Sequence, residues 1–174
     1  DWAEPLRVAQ AVVDMNLQHV VITSVNRDER KDGGAPIFAL VIRQIRKVKP
    51  DCTIEVLIPD FKANSAALEI VMREEPDILN HNVETVRRLF KAVQPQDNYE
   101  WAIATLQNAK RLRSDAVTKT GIMLGLGRAL GEKTSFEACA GDVEKAGDVT
   151  AFLALPNQRV LSWTLRVSDY SAKG

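Results

Sequence analysis

Short apolar runs alternate along the chain with longer segments in which apolar residues recur every three or four positions. Four runs rich in β-branched and aliphatic residues predict strands, at residues 19–24, 53–58, 78–81 and 117–124. Helical spacing between them predicts helices at residues 5–15, 35–48, 65–73, 83–90 and 99–112. This order predicts an α/β fold with a parallel sheet covered by helices. Both an open sheet and a partial (β/α) barrel are consistent with this pattern.

The periodic pattern stops after Gly127. Residues 128–174 contain scattered glycines, and only the runs 151–155 and 160–167 have the composition of strands. We therefore expect an α/β core over residues 1–127 and a divergent, poorly ordered tail over residues 128–174.

Composition narrows the function classes. Lys plus Arg and Asp plus Glu both number 23, so the net charge of zero gives no indication of nucleic-acid binding. No apolar run is long enough to span a membrane. The two cysteines, Cys52 and Cys139, cannot hold a four-iron cluster by themselves, because such a cluster needs three or four thiolates. With two histidines and no zinc-ligand or Ser–His–Asp spacing, we predict no catalytic residue and no metal ligand.

Polar clusters follow the predicted strands, at the end of a parallel sheet where α/β proteins bind ligands. They are Thr23-Ser24, Asp32-Gly33-Gly34, residues 80–85, and Lys119-Thr120 with the following Gly125-Leu126-Gly127. Glycines let backbone N–H groups approach a carboxylate or phosphate closely, although a tight turn explains the same residues.

The run Asn80-His81-Asn82-Val83-Glu84-Thr85 is the most informative of these clusters. If strand geometry persists, Asn80, Asn82 and Glu84 share one face and His81 lies on the other. Alternatively, Asn82 caps a helix and Glu84 lies in its first turn. His81 is expected to be a half-buried structural histidine.

Five blocks of the sequence together resemble the lipoyl synthase family of radical S-adenosylmethionine enzymes. They are residues 20–28, 32–35, 54–61, 80–86 and 118–127, and they follow the order and spacing of that family. The resemblance covers roughly the first three quarters of the chain.

The resemblance implies a partial barrel of the radical SAM type that lacks the first strand. It also implies a sulfurtransferase reaction of lipoate biosynthesis. In the family, S-adenosylmethionine bound to a 4Fe-4S cluster yields a 5′-deoxyadenosyl radical, which abstracts hydrogen from an octanoyl chain on a carrier or lipoyl-domain protein. A second 4Fe-4S cluster donates two sulfur atoms. A cytoplasmic location in bacteria, or an organellar one in eukaryotes, is implied as well.

The family's cofactor contacts transfer to positions in this chain. Thr23 and Ser24 lie in the first cofactor-binding block. Gly33 and Gly34 resemble the loop that receives the methionine moiety of S-adenosylmethionine. Asn80, Asn82 and Glu84 resemble its polar contacts to the nucleoside or the amino acid. Lys119 resembles a partner for the carboxylate or the substrate end, and Gly125 and Gly127 resemble the backbone near the adenine.

Departures from the family concern both ends of the chain. The cysteine-rich segments that hold both clusters belong upstream of Asp1, and Arg128 stands where the family has an acidic residue. We therefore expect this chain alone to be inactive, and we expect its open sheet edges to self-associate. A shifted reading frame is one hypothesis for the tail, since residues 157–160 read two bases later give Pro-Thr-Arg with suitable codons.

Two alternatives remain. One is a non-catalytic module of the same fold that binds S-adenosylmethionine or an acyl carrier. The other is an unrelated α/β enzyme that binds phosphate at residues 32–34, and the order of all five blocks argues against it.

Overall fold

The computed structural model of the protein describes residues 1–27, 29–124, 148–154 and 160–165. Its strands form one sheet in chain order: β1 (His19–Thr23), β2 (Thr53–Leu57), β3 (Ile78–Asn80), β4 (Val117–Leu124), β5 (Asp148–Ala154) and β6 (Val160–Leu165). Each neighbouring pair from β1 to β5 is parallel, and β6 pairs antiparallel with β5. The predicted α/β fold with a parallel sheet is confirmed.

Helix α1 (Glu4–Asp14) precedes β1. The helices between the strands from β1 to β4 are α2 (Ala35–Val48), α3 (Ser65–Met72), α4 (Arg87–Val93) and α5 (Tyr99–Leu112), with a short 3₁₀ turn at Phe61–Ala63. Local sequence sets several of the helix starts. The Asn64 side chain accepts hydrogen bonds from the backbone N–H groups of Ala66 and Ala67 at the start of α3. None of the helices in the described ranges is long and apolar enough to cross a membrane.

The hydrophobic core lies between the helices and one face of the sheet. Ile54 and Val56 of β2 are fully buried there, together with Ile42 and Ile45 of α2. Because side chains alternate along a strand, Glu55 points to the opposite face. The sheet therefore has an apolar face under the helices and a second face that carries charged side chains.

The predicted helix at residues 83–90 is wrong at its start, since α4 begins at Arg87. After β3 the backbone stays beside β4: Glu84 N–H donates to the Gly121 carbonyl at 3.0 Å, and Met123 N–H donates to the Glu84 carbonyl at 2.7 Å. Asn82 is therefore not the helix cap, and Glu84 is not in a first helical turn.

The two strands expected at residues 151–155 and 160–167 are found, with different bounds, as β5 and β6. The remaining residues of the predicted tail, and Gly125 and Gly127, lie outside the described residues.

Candidate functional site

A cavity of about 370 Å³ lies at the C-terminal ends of β1, β2 and β3. Its polar lining includes Thr23 and Ser24 at the end of β1, Asp60 after β2, and His81, Asn82 and Glu84 after β3. Its volume lies within the range of small-molecule sites. The parallel sheet thus brings together side chains that are far apart in sequence, at the edge where the sequence predicted a ligand.

The lining of this cavity is acidic. Asp60, Glu84 and Asp97 line it, and no Lys or Arg is among the described residues that do. Burial raises the pKa of Glu84, the hydrogen bond from Asn82 opposes that rise, and the charge of Asp97 adds to it. A cavity with three carboxylates favours a ligand that carries positive charge.

The backbone of Glu84 is held in an unusual conformation. Its φ of 65° lies in the left-handed region, which non-glycine residues rarely adopt. The two backbone hydrogen bonds with β4 stabilise this conformation and fix the point at which the carboxylate enters the cavity. Because β3 ends at Asn80, the condition under which Asn80, Asn82 and Glu84 would share a face is not met. Instead His81, Asn82 and Glu84 line the same cavity.

His81 is held in one tautomer. Its Nδ1 lies 2.8 Å from the carbonyl oxygen of Ile58, and because a carbonyl only accepts, Nδ1 carries the proton. Burial lowers the pKa of His81, so its imidazole is neutral at pH 7. Nε2 is then an unprotonated acceptor on a residue that lines the cavity. The expectation of a half-buried histidine with a structural hydrogen bond is confirmed, but the cavity position is new.

The glycine loop lies beside this cavity rather than in it. Gly34 lines a neighbouring cavity of about 590 Å³, which also contains Thr23 and Ser24. Gly33 lines a third cavity, of about 390 Å³. Both glycines have positive φ, 54° and 83°. The Asp32 side chain accepts from Gly34 N–H at 2.9 Å, and Arg30 binds the same carboxylate, so the Arg30 and Gly34 hydrogen bonds lower the pKa of Asp32.

Asn80 and Lys119 lie away from the described lining of the first cavity, and both contact Glu55. Asn80 Nδ2 donates to Glu55 Oε1 at 2.8 Å, and Lys119 Nζ lies 3.1 and 3.2 Å from the two Glu55 oxygens. Glu55 is 2% exposed. Sequence reasoning missed it, although a charged residue in the middle of the apolar run 53–58 was the available signal.

Comparison with known proteins places this geometry in a family. Residues 1–137, well over half of the chain, match the Radical SAM superfamily. The chain belongs to the radical SAM superfamily. The fold agrees: the crystal structure of methylornithine synthase (PylB) superposes with a TM-score of 0.67 over 90% of this chain and 44% of that one, at 14% identity. The partial barrel of the radical SAM type is thus confirmed.

Within the radical SAM superfamily, the chain is similar to lipoyl synthases. It is 53% identical to the lipoyl synthase of Rubrobacter xylanophilus over 127 aligned residues, and this alignment covers 73% of the present chain and 40% of the relative. It is 49% identical to the lipoyl synthase of Symbiobacterium thermophilum over 153 aligned residues, and this alignment covers 87% of the present chain and 47% of the relative. The resemblance is confirmed, and the chain spans less than half the length of these relatives.

The described residues of this radical SAM chain do not fit an iron–sulfur cluster. Cys52 is the one free cysteine among them, and it is buried. Burial raises the pKa of its thiol, which disfavours the thiolate that binds iron. Nowhere in the described ranges do three His, Cys, Asp or Glu side chains come together as a metal site.

Proposed function

We propose that this chain is the cofactor-binding core of a lipoyl synthase, in which sulfur is inserted into a protein-bound octanoyl chain. Identity of 47 to 53% with lipoyl synthases over most of the chain carries the proposal. S-adenosylmethionine supplies the hydrogen-abstracting radical in that chemistry. In this proposal the cofactor-binding core comprises residues 1–127, and residues 128–174 form a separate tail. The substrate partner is an octanoylated carrier or lipoyl-domain protein, and the reaction takes place in the cytoplasm or an organelle.

Charge supports S-adenosylmethionine as the ligand of the acidic cavity. The cofactor has a sulfonium, an ammonium and a carboxylate group, so its net charge is positive. Asp60, Glu84 and Asp97 match that charge. A nucleoside triphosphate carries the opposite charge and is disfavoured at the same site.

Hydrogen bonding supports the same ligand. Glu84 accepts from ribose hydroxyls or the ammonium group, and Asn82 both donates and accepts. His81 Nε2 is a fixed acceptor for an N–H or O–H group of the ligand. Thr23 and Ser24 border both the acidic cavity and the cavity of Gly34, so an elongated ligand that passes them reaches the glycine loop.

Titration calorimetry of the 174-residue chain with S-adenosylmethionine, S-adenosylhomocysteine and ATP tests the cofactor assignment. We expect weak binding of S-adenosylmethionine, because the family's cluster anchor requires thiolates that this chain lacks. S-adenosylhomocysteine, which lacks the sulfonium charge, is expected to bind about tenfold more weakly, and ATP less still. Equal affinity for the two sulfur ligands, or no binding of S-adenosylmethionine, contradicts the proposal.

A pair of variants locates the site. Glu84→Gln keeps the shape of the side chain, removes its charge, and should reduce the preference for the sulfonium ligand severalfold. Asp51→Asn, at an exposed residue in the turn before β2, removes one charge away from the acidic cavity and should leave the preference unchanged. An equal effect of both variants would show that only net charge matters.

A further inference from the structure

The segment that follows β3 contains one residue more than the stretch of β4 beside it. Asn80 is the register partner of Lys119, and Glu84 forms an isolated parallel bridge with Ile122. Four steps along the first segment therefore oppose three steps along the second, which is the arrangement of a β-bulge. We call residues 81–84 the bulge segment. Bulges redirect side chains out of the regular alternation of a strand and are frequent next to functional sites.

Glu84 is the strained residue of the bulge segment. The Thr85 N–H donates to the Val83 carbonyl at 2.8 Å, so Glu84 is the central residue of a three-residue turn. Its φ of 65° makes this the rare form of that turn. Such a conformation persists only where surrounding contacts hold the backbone in place. Contacts from outside the turn are therefore needed to fix the Glu84 backbone.

Thr120 of β4 supplies one of these contacts through its side chain. Its Oγ1 accepts a hydrogen bond from the Val83 N–H at 3.0 Å. Thr120 is 1% exposed and Val83 is completely buried, so the Val83 N–H would lose its partner if the hydroxyl group were removed. The hydrogen bonds of Glu84 with Gly121 and Met123 join backbone atoms, whereas the Val83 bond depends on the identity of residue 120.

The Thr120 contact lies on the core side of the bulge segment. Val83 belongs to the hydrophobic core, while its two neighbours, Asn82 and Glu84, line the acidic cavity. Thr120 is not among the described residues that line this cavity. Its hydroxyl group therefore holds, from within the core, the backbone from which the Asn82 and Glu84 side chains reach the ligand.

We propose that Thr120 is a positioning residue for the acidic cavity. Its hydroxyl group holds the bulge segment so that the Glu84 carboxylate faces the ligand, and it thereby sets the preference of the cavity for positively charged ligands. This inference rests on the proposed function, in which that ligand is S-adenosylmethionine. An uncharged side chain without ligand contact thus controls a selectivity that depends on charge.

Substitutions of Thr120 test the proposal by titration calorimetry of the 174-residue chain with S-adenosylmethionine and S-adenosylhomocysteine. Thr120→Val keeps the branched shape and removes the acceptor, and it should reduce the preference for S-adenosylmethionine from about tenfold to about threefold. Thr120→Ser keeps the hydroxyl group and should retain the full preference. A full preference in the valine variant, or an equal loss in the serine variant, overturns the proposal.

Thr118→Val is the matched control. Thr118 is as buried as Thr120 and lies two residues earlier on β4, so this variant also loses a buried hydroxyl group. It should keep the preference of the unaltered chain, and an equal loss in both valine variants contradicts a specific role of Thr120. If circular dichroism shows that Thr120→Val does not fold, Thr120→Ala is compared with Thr120→Ser, because these two variants differ in the hydroxyl group alone.

A double variant shows whether Thr120 acts through Glu84. If it does, Thr120→Val combined with Glu84→Gln should have the same ligand preference as Glu84→Gln alone, since the carboxylate that Thr120 positions is already absent. A further reduction in the double variant means that Thr120 acts by another route and refutes the proposal.

Amide hydrogen exchange, measured by NMR without ligand, separates this proposal from the cofactor assignment. Thr120→Val should speed the exchange of the Val83 and Glu84 amides about tenfold, and Thr118→Val should leave both rates unchanged. Unchanged rates in Thr120→Val overturn the positioning role whether or not a ligand binds. Faster exchange in a chain that does not bind S-adenosylmethionine refutes the cofactor assignment alone, and a preference that survives in Thr120→Val refutes the role of Thr120 alone.

Discussion

Replacing Gly33 with alanine tests how the glycine loop is held against the fold. Gly33 has φ of 54°, and a methyl group added there would lie 2.6 Å from Cδ1 of Phe61. Phe61 is 6% exposed in its 3₁₀ turn, and its own φ of 51° is strained, so it has little room to withdraw. Gly34 is the matched control: its φ is 83°, but an added methyl group meets the flexible Arg27 side chain at 3.5 Å.

The two substitutions share one destabilising term and differ in another. Left-handed backbone at a non-glycine residue costs about 1 to 2 kcal/mol, partly offset by about 0.4 to 1 kcal/mol from the stiffer unfolded chain. Overpacking against Phe61 adds about 1 to 3 kcal/mol at Gly33 alone. We therefore expect Gly33→Ala to lower the free energy of unfolding by about 3 kcal/mol and Gly34→Ala by about 1 kcal/mol.

Urea unfolding followed by circular dichroism measures both values under the same conditions. A double variant, Gly33→Ala with Phe61→Leu, gives the coupling, because the smaller side chain relieves the clash and the two effects should not add. Equal destabilisation by Gly33→Ala and Gly34→Ala would refute the contact between the loop and Phe61. Additive effects in the double variant would refute it as well.

Four further predictions concern protonation, metal content and association. Burial alone would raise the pKa of Asp77, yet hydrogen bonds from the Ile54 N–H and Arg46 lower it. Asp77→Asn should therefore lower the free energy of unfolding by about 1 kcal/mol near neutral pH. In urea unfolding that difference should vanish as pH falls below about 4 and through the folded pKa. Burial lowers the pKa of His81, so the unfolded state binds more protons than the folded state below about pH 6.5. The free energy of unfolding therefore decreases as the pH is lowered through that range. His81→Phe should flatten this dependence between about pH 5 and 7.5, and an unchanged slope would exclude the histidine as its source. Anaerobic reconstitution with iron and sulfide should give no four-iron absorbance, and a stable four-iron spectrum would contradict the ligand count. Light scattering should show self-association, whereas a monodisperse monomer would contradict pairing through open edges.

The sequence predicted the bounds of α2, α5 and β4 correctly because local signals agree there. In α2, a proline in the first turn, a regular apolar stripe and a following Pro50 all point to the same limits. Residues 83–86 failed for the opposite reason. Their composition suits a helix start, but the backbone of Glu84 bonds to β4, which lies more than thirty residues further along the chain. No local pattern reports such a partner.

The candidate site was likewise predictable where local sequence determines it and unpredictable where it depends on residues distant in sequence. Polar residues at strand ends predicted that Thr23, Ser24, Asn82 and Glu84 lie at one edge of the sheet, where they line one cavity, because the C-terminal ends of parallel strands meet at one edge. The acidity of the cavity depends on Asp97, which only the tertiary structure places there.

Sequence alone thus determined the fold class, the family and the edge of the sheet that carries the polar clusters of the candidate site, since periodicity and ordered motifs are local properties. Tertiary structure decided which side chains share a cavity, the tautomer of His81, and the pairing of Glu55 with Asn80 and Lys119. These outcomes depend on register between strands that are distant in sequence, and a change of one residue in register would send each side chain to the other face of the sheet.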